Sequence, residues 1–103
     1  MAKYKVVLLP IASDDLIDIV TYITEKLHAP KAAESFLTTF DKLVDQLSFH
    51  PYSHELYRDE RNLEYEVRHA SVKNYIVFYV VADKTVEIHR VLYGGRDMTQ
   101  QEL

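Results

Sequence analysis

Arg68, Arg90 and Arg96, with Tyr93, fall on or beside the last strand-like segments of this chain, and together they have the chemistry to grip an anion. A guanidinium presents a planar fork of N–H donors that fits a carboxylate or phosphate bidentately, and a phenol beside it can stack on a base or a side chain. The final strand-like segment gives way to Gly94-Gly95, which on this reading gathers the set at one sheet edge. His69 and His89 flank it on neighbouring strands. Glu64, Glu66, Glu87 and Asp97 stand close enough to pair with the same arginines across strands, so ion pairing and partner binding both fit the pattern.

Other chemistries find little support. His50 and His54 are four apart, but Pro51 lies between them, so they cannot share a helical face, and no third ligand has a suitable spacing. Asp14 with Asp18, and Asp41 with Asp45, share helix faces that read as solvated. Gly94-Gly95 lacks the lysine and hydroxyl residue of a phosphate loop, and no serine sits in a nucleophile elbow. The chain has no cysteine, which excludes disulfides, thiolate metal sites and cysteine nucleophiles. No metal and no cofactor are expected.

Composition narrows the class further. With 103 residues, 48% of them hydrophobic, the chain is long enough for one domain, residues 1–103, with a substantial core. No apolar run approaches the roughly 18 residues of a membrane span, and the start lacks a signal-peptide layout, so a cytosolic protein with no membrane partner is expected. The net charge is −4. A protein that grips nucleic acid over a broad footprint carries a basic surface, because counterion release supplies most of that affinity. This balance argues against a dedicated RNA or DNA binder.

The elements that must position these residues follow from periodicity. Residues 5–9 read as a buried strand. From Ala12 the period becomes helical, with Leu16, Ile19, Val20, Ile23 and Leu27 on one face and Asp15, Asp18, Tyr22 and Lys26 opposite. Ser13, Asp14 and Asp15 crowd the expected helix start, where the macrodipole favours negative charge. A second helix over 30–49 buries Ala33, Phe36, Leu37, Phe40, Leu43, Val44 and Leu47 and stops before Pro51. Residues 52–62 form a polar connector, strands follow near 63–69, 74–82 and 85–93, and 98–103 add a last helical turn or fray. Tyr75, Val77 and Tyr79 share one strand face, toward the helices. Phe78 and Val80 make the opposite face partly apolar, a surface that a bound peptide would cover. The architecture is α+β: a helical hairpin packed on one face of a mostly antiparallel sheet, in the order β-α-α-β-β-β.

Asn74-Tyr75-Ile76-Val77-Phe78-Tyr79, then Ile88-His89-Arg90-Val91-Leu92, then Gly94-Gly95-Arg96-Asp97, resembles the RelE/ParE superfamily of type II toxin–antitoxin toxins, its ParE branch most closely. Asp15 to Ile19 with Tyr22-Ile23, Pro30 with Ala32-Ala33 and Phe36, and Leu47 to Pro51 resemble the family's first helix, second helix and helix exit. The resemblance implies a growth inhibitor that binds a protein target such as DNA gyrase and is neutralised by a cognate antitoxin. Arg68, His89, Arg90, Tyr93 and Arg96 are then the partner-binding candidates. The RelE branch implies a metal-free, ribosome-dependent mRNA endonuclease, for which Arg68, Arg90, Tyr93 and Arg96 would be the catalytic set. There, however, Ile76 and Glu66 stand where that branch has cations, and Glu102 stands near its catalytic tyrosine. A family member that binds antitoxin without toxicity is the third reading.

Overall fold

Two prolines set the helical half of the fold. The computed structural model, which describes residues 3–57 and 65–95, places Pro10 at the start of α1 (Pro10–Thr21) and Pro30 at the start of α2 (Pro30–Phe49). Each ring fixes φ near the helical value and sits where its missing N–H would have no partner. Because α1 starts earlier than the expected residue 12, Asp14 and Asp15 lie beyond its first turn and not at its positive end. The helix runs on through a π turn, Tyr22–Lys26. His28 then takes φ 52°, the Leu27 and Ala29 amides close back on the Tyr22 and Ile23 carbonyls, and the chain reverses.

The sheet has four strands: β1 (Lys5–Leu8), β2 (Arg68–Val72), β3 (Tyr75–Ala82) and β4 (Thr85–Tyr93), in the spatial order β1-β4-β3-β2. β2, β3 and β4 form an antiparallel meander with turns at Lys73-Asn74 and Asp83-Lys84, and β1 pairs parallel to β4. The expected architecture is therefore what forms. β2 lies further on than the expected 63–69 segment, ending at Val72. β1 is a half-buried edge strand, not a buried one, because it has a neighbour on one side only. The segment 98–103 lies outside the described residues. Among the described residues no helix is long and apolar enough to cross a membrane.

The main core lies between the helices and one sheet face. Ala12, Ile19, Ile23, Phe36, Phe40 and Leu47 meet Ala70, Val72, Val77, Tyr79, Val86, Ile88 and Val91, with Leu16, Val20 and Leu43 half-buried against them. The 3.6-residue pattern points Leu27 and Leu37 inward, yet both are exposed. The π turn adds a residue to the helical repeat and rotates Leu27 out of the stripe. Leu37 lies on the flank of the stripe that Phe36 and Phe40 define. The opposite sheet face is not left bare: Val67 and Tyr57 pack on Phe78, Val80 and Leu92. Tyr57 meets the Phe78 ring edge-on at 5.0 Å between centroids. The chain's own connector thus takes the place expected of a partner peptide.

A register shift in β4 decides which side chains reach the helices. Phe78 pairs with Arg90 but Tyr79 with Ile88, so His89 is the extra residue of a β-bulge. The bulge reverses the alternation, and Val86, Ile88 and Val91 all face the main core despite their mixed spacing.

Candidate functional site

The structure separates Arg68 from Tyr93, although Arg68 and Arg90 flank the neighbouring β3 residues Tyr79 and Phe78. Val72, Tyr75 and Tyr93 stand side by side at one end of the meander, whereas Arg68 pairs with Tyr79 four residues further along β3. At about 3.3 Å per residue that separation is roughly 13 Å, beyond the reach of one small anion. The antiparallel connection sends the start of β2 away from the end of β4, which sequence proximity alone did not show. His89 lies on the other side of the sheet, 3.4 Å from Glu87 and against the Tyr65 ring. Arg96 is outside the described residues.

Arg90 is tied to α1. Its Nε donates to Asp15 Oδ2 at 2.8 Å and its Nη2 to Oδ1 at 3.0 Å, and the Val91 amide donates to the same Oδ2 at 2.9 Å. Both side chains are largely buried, at 15% and 13% exposure. This corrects the placement of Asp15 on the solvent face. Beyond Leu8 no β1 residue remains to pair with β4, and the Asp15 carboxylate supplies an acceptor that a further strand would have provided. The bulge at His89 brings the Val91 amide and the Arg90 side chain to this margin together. Arg90 is therefore a framework residue before it is a binding one.

Arg68 belongs to a second cluster, at the exit of α2, within the segment expected to be a polar connector. Its Nη1 donates to the His54 carbonyl at 2.8 Å, and its guanidinium lies over the Tyr52 ring, 5.1 Å from the centroid. The Tyr79 hydroxyl donates to the Pro51 carbonyl at 2.7 Å, and Gln46 links the His54 ring to Ser53 Oγ. Burial, reinforced by the charge of His69, holds the His54 imidazole below its usual value. The helix exit is thereby pinned to the sheet. Gln46 and His54 at an eight-residue spacing, with a proline between, were the available signal.

Burial pushes the Tyr79 hydroxyl from 10.0 up to about 12, a rise that Arg68 partly opposes. The unfolded chain loses this proton near pH 10 and the folded chain near 12, so the stabilisation is full below pH 10 and disappears as pH rises through 12. Tyr79→Phe is expected to lower stability at neutral pH by about 1–2 kcal/mol, because the Pro51 carbonyl loses its donor. It should also flatten the fall in Tm across that alkaline window. Melting curves of both proteins over the alkaline range check this.

Tyr93 stands apart from the arginines and beside other tyrosines. Its ring meets that of Tyr75 edge-on, 5.8 Å between centroids, and both line an open cleft of about 610 Å³ with Asp18, Ile19, Tyr22, Leu27 and Asn74. Tyr22, Leu27 and Tyr93 are each more than half exposed, at 51%, 54% and 53%. Desolvation, with Tyr22 and Tyr93 nearby, raises the Tyr75 hydroxyl above its ordinary value. Three phenols therefore converge on one concavity. The π turn makes this possible, since it sets Tyr22 at the C-terminal end of α1 over the end of the sheet.

The position that bears on catalysis is Ile76. It packs with Phe78 and Leu92 in the second apolar cluster, on the face away from the helices, and Glu66 is exposed. Among the described residues, no group of three or more histidine, aspartate or glutamate side chains is arranged to hold a metal ion.

Comparison with known proteins gives this geometry its context. The chromosomal ParDE toxin–antitoxin system from P. aeruginosa contains a chain of similar fold, with a TM-score of 0.69 at 16% identity, covering 90% of this chain and 98% of that one. The archaeal RelE–RelB complex from Pyrococcus horikoshii OT3 contains another, with a TM-score of 0.62 at 22% identity, covering 94% and 100%. No curated protein matches the sequence. The family described as "ParE toxin of type II toxin-antitoxin system, parDE" matches residues 6–98. With nearly its whole length matched, and a helical hairpin on a four-stranded sheet to go with it, the chain belongs to the ParE toxin family of type II toxin–antitoxin systems.

Proposed function

We propose that this chain is a cytoplasmic toxin that inhibits growth by binding a protein target such as DNA gyrase, without cutting RNA, and that a cognate antitoxin neutralises it. The observation that carries the first half is Ile76, an apolar residue in an apolar cluster where the RNA-cleaving branch would place a cation. A metal-free phosphoryl transfer needs convergent charge at the phosphorane. Here Arg90 is engaged by Asp15, and Arg68 by the His54 carbonyl and the Tyr52 ring. The net charge of −4 also suits a protein target better than a ribosomal RNA surface. An antitoxin partner is supported by the two similar structures, a ParDE system and a RelE–RelB complex. The surface left for partners includes Ile17, Tyr22, Leu27 and Tyr93, all exposed apolar or aromatic side chains. Of the expected partner-binding set, Tyr93 and Arg68 keep a contact role, with His89 and Arg96 open to the same test. Arg90 acts by holding the sheet margin.

The test is a paired assay with purified protein. Cleaved plasmid DNA should accumulate with gyrase, disappear when antitoxin is added, and fall at least tenfold for Tyr93→Ala, as removal of a central aromatic contact predicts. Cleavage of mRNA on ribosomes by the same preparation would replace this reading with the endonuclease one. Inactivity in both assays, with growth unaffected, would mark an antitoxin-binding member without toxicity.

A further inference from the structure

The cleft between the end of α1 and the end of the meander has a chemical preference. Its walls carry three tyrosine rings, Tyr22, Tyr75 and Tyr93, and one acid, Asp18, and among the described residues no basic side chain lines it. Lys73 lines the neighbouring cleft, on the other side of Tyr75. Ring faces are the negative ends of aromatic quadrupoles and attract a cation placed over them. Among the described residues the Asp18 carboxylate has no hydrogen-bond or ion-pair partner, unlike Asp15 one turn earlier. An acidic ligand would meet Asp18 with the wrong sign, and a purely apolar one would desolvate Asp18 without compensation. A basic side chain satisfies both walls: its head meets Asp18 and the rings, while its aliphatic stem lies on Ile19 and Leu27.

We propose that this cleft is the anchor point for an arginine or lysine side chain presented by the antitoxin, caged by Tyr22, Tyr75 and Tyr93 and neutralised by Asp18. The occupant rests on the antitoxin reading given above, while the cation preference rests on the cleft alone. At about 610 Å³ the cleft is larger than one side chain, so it admits the flanking backbone of the segment as well. The guanidinium fork suits a carboxylate and stacks on rings, which favours arginine.

Two measurements test this separately. In the first, NMR follows the free protein titrated with acetyl-arginine-amide, and with acetyl-citrulline-amide as the uncharged isostere. Ring signals of Tyr22, Tyr75 and Tyr93 should shift with the arginine compound, and the response should fall about tenfold with citrulline or in Asp18→Asn. Equal responses to the two compounds, or no movement of the tyrosine signals, overturn the cation site whatever the antitoxin does. In the second, antitoxin affinity is measured for wild type, Asp18→Asn and Tyr22→Leu, both exposed positions whose variants are checked for an unchanged melting curve. A loss of about tenfold or more in each supports the anchor. Full affinity in both variants removes the antitoxin from this cleft while leaving the antitoxin reading intact. An antitoxin that fails to bind even the wild type overturns that reading and the assigned occupant with it, and the titration still decides the cation site.

Discussion

Asp15→Ala is expected to cost the fold about 3 kcal/mol, because it breaks a buried ion pair and removes the acceptor of the Val91 amide. For a domain of this size, whose stability is on the order of 5–15 kcal/mol, that is a large share. The loss should exceed anything seen at Asp14 or Asp18, whose carboxylates are exposed. Urea denaturation of Asp15→Ala, Arg90→Ala and the double variant measures the coupling directly. A coupling above about 1.5 kcal/mol is expected for a close, largely buried charge pair. A coupling near zero would mean that Asp15 and Arg90 stabilise the fold independently.

Phe36→Ala should be at least as damaging, at about 3–5 kcal/mol, since truncating a core phenylalanine adds a cavity to the lost burial. Phe36 is 1% exposed, and its ring meets Tyr75 edge-on at 5.3 Å. Its neighbour Leu37 lies outside the stripe, and Leu37→Ala should stay within about 1 kcal/mol. The contrast is informative because the sequence pattern ranks the two residues equally. Loss of Phe36 also removes the support behind Tyr75, so this variant should weaken partner binding as well as stability. Denaturant midpoints and one binding measurement on each variant settle both points.

The helices were legible because their apolar residues recur with the helical period, although Pro10 starts α1 two residues before the expected Ala12. The meander was legible from alternation in Tyr75 to Val81, and the helix-facing position of Tyr75, Val77 and Tyr79 followed from it. The bulge was not legible. Nothing in Ile88-His89-Arg90-Val91 announces an extra residue, so a strict period of two puts Val91 on the wrong face. The distance from Arg68 to Tyr93 was hidden for a related reason: closeness in sequence says little about position when strands reverse. Tyr93 belonged with Tyr22 and Tyr75, and that grouping depends on a π turn that no residue type signals. Asp15 looked like Asp18 by spacing, and only the end of β1 at Leu8 separates a margin acceptor from a surface acid.

The parallel pairing of β1 with β4 has a consequence in time. Lys5 finds its partner at Thr85, almost the whole length of the chain away, and Asp15 finds Arg90 across a similar gap. Such contacts repay their loop-closure entropy late, which places the domain among slower folders than a helical bundle of equal size. During synthesis the first strand and first helix emerge without the strand that completes their packing. A chain stopped short of β4 would leave that packing unmade, so the finished surface exists only once β4 has emerged.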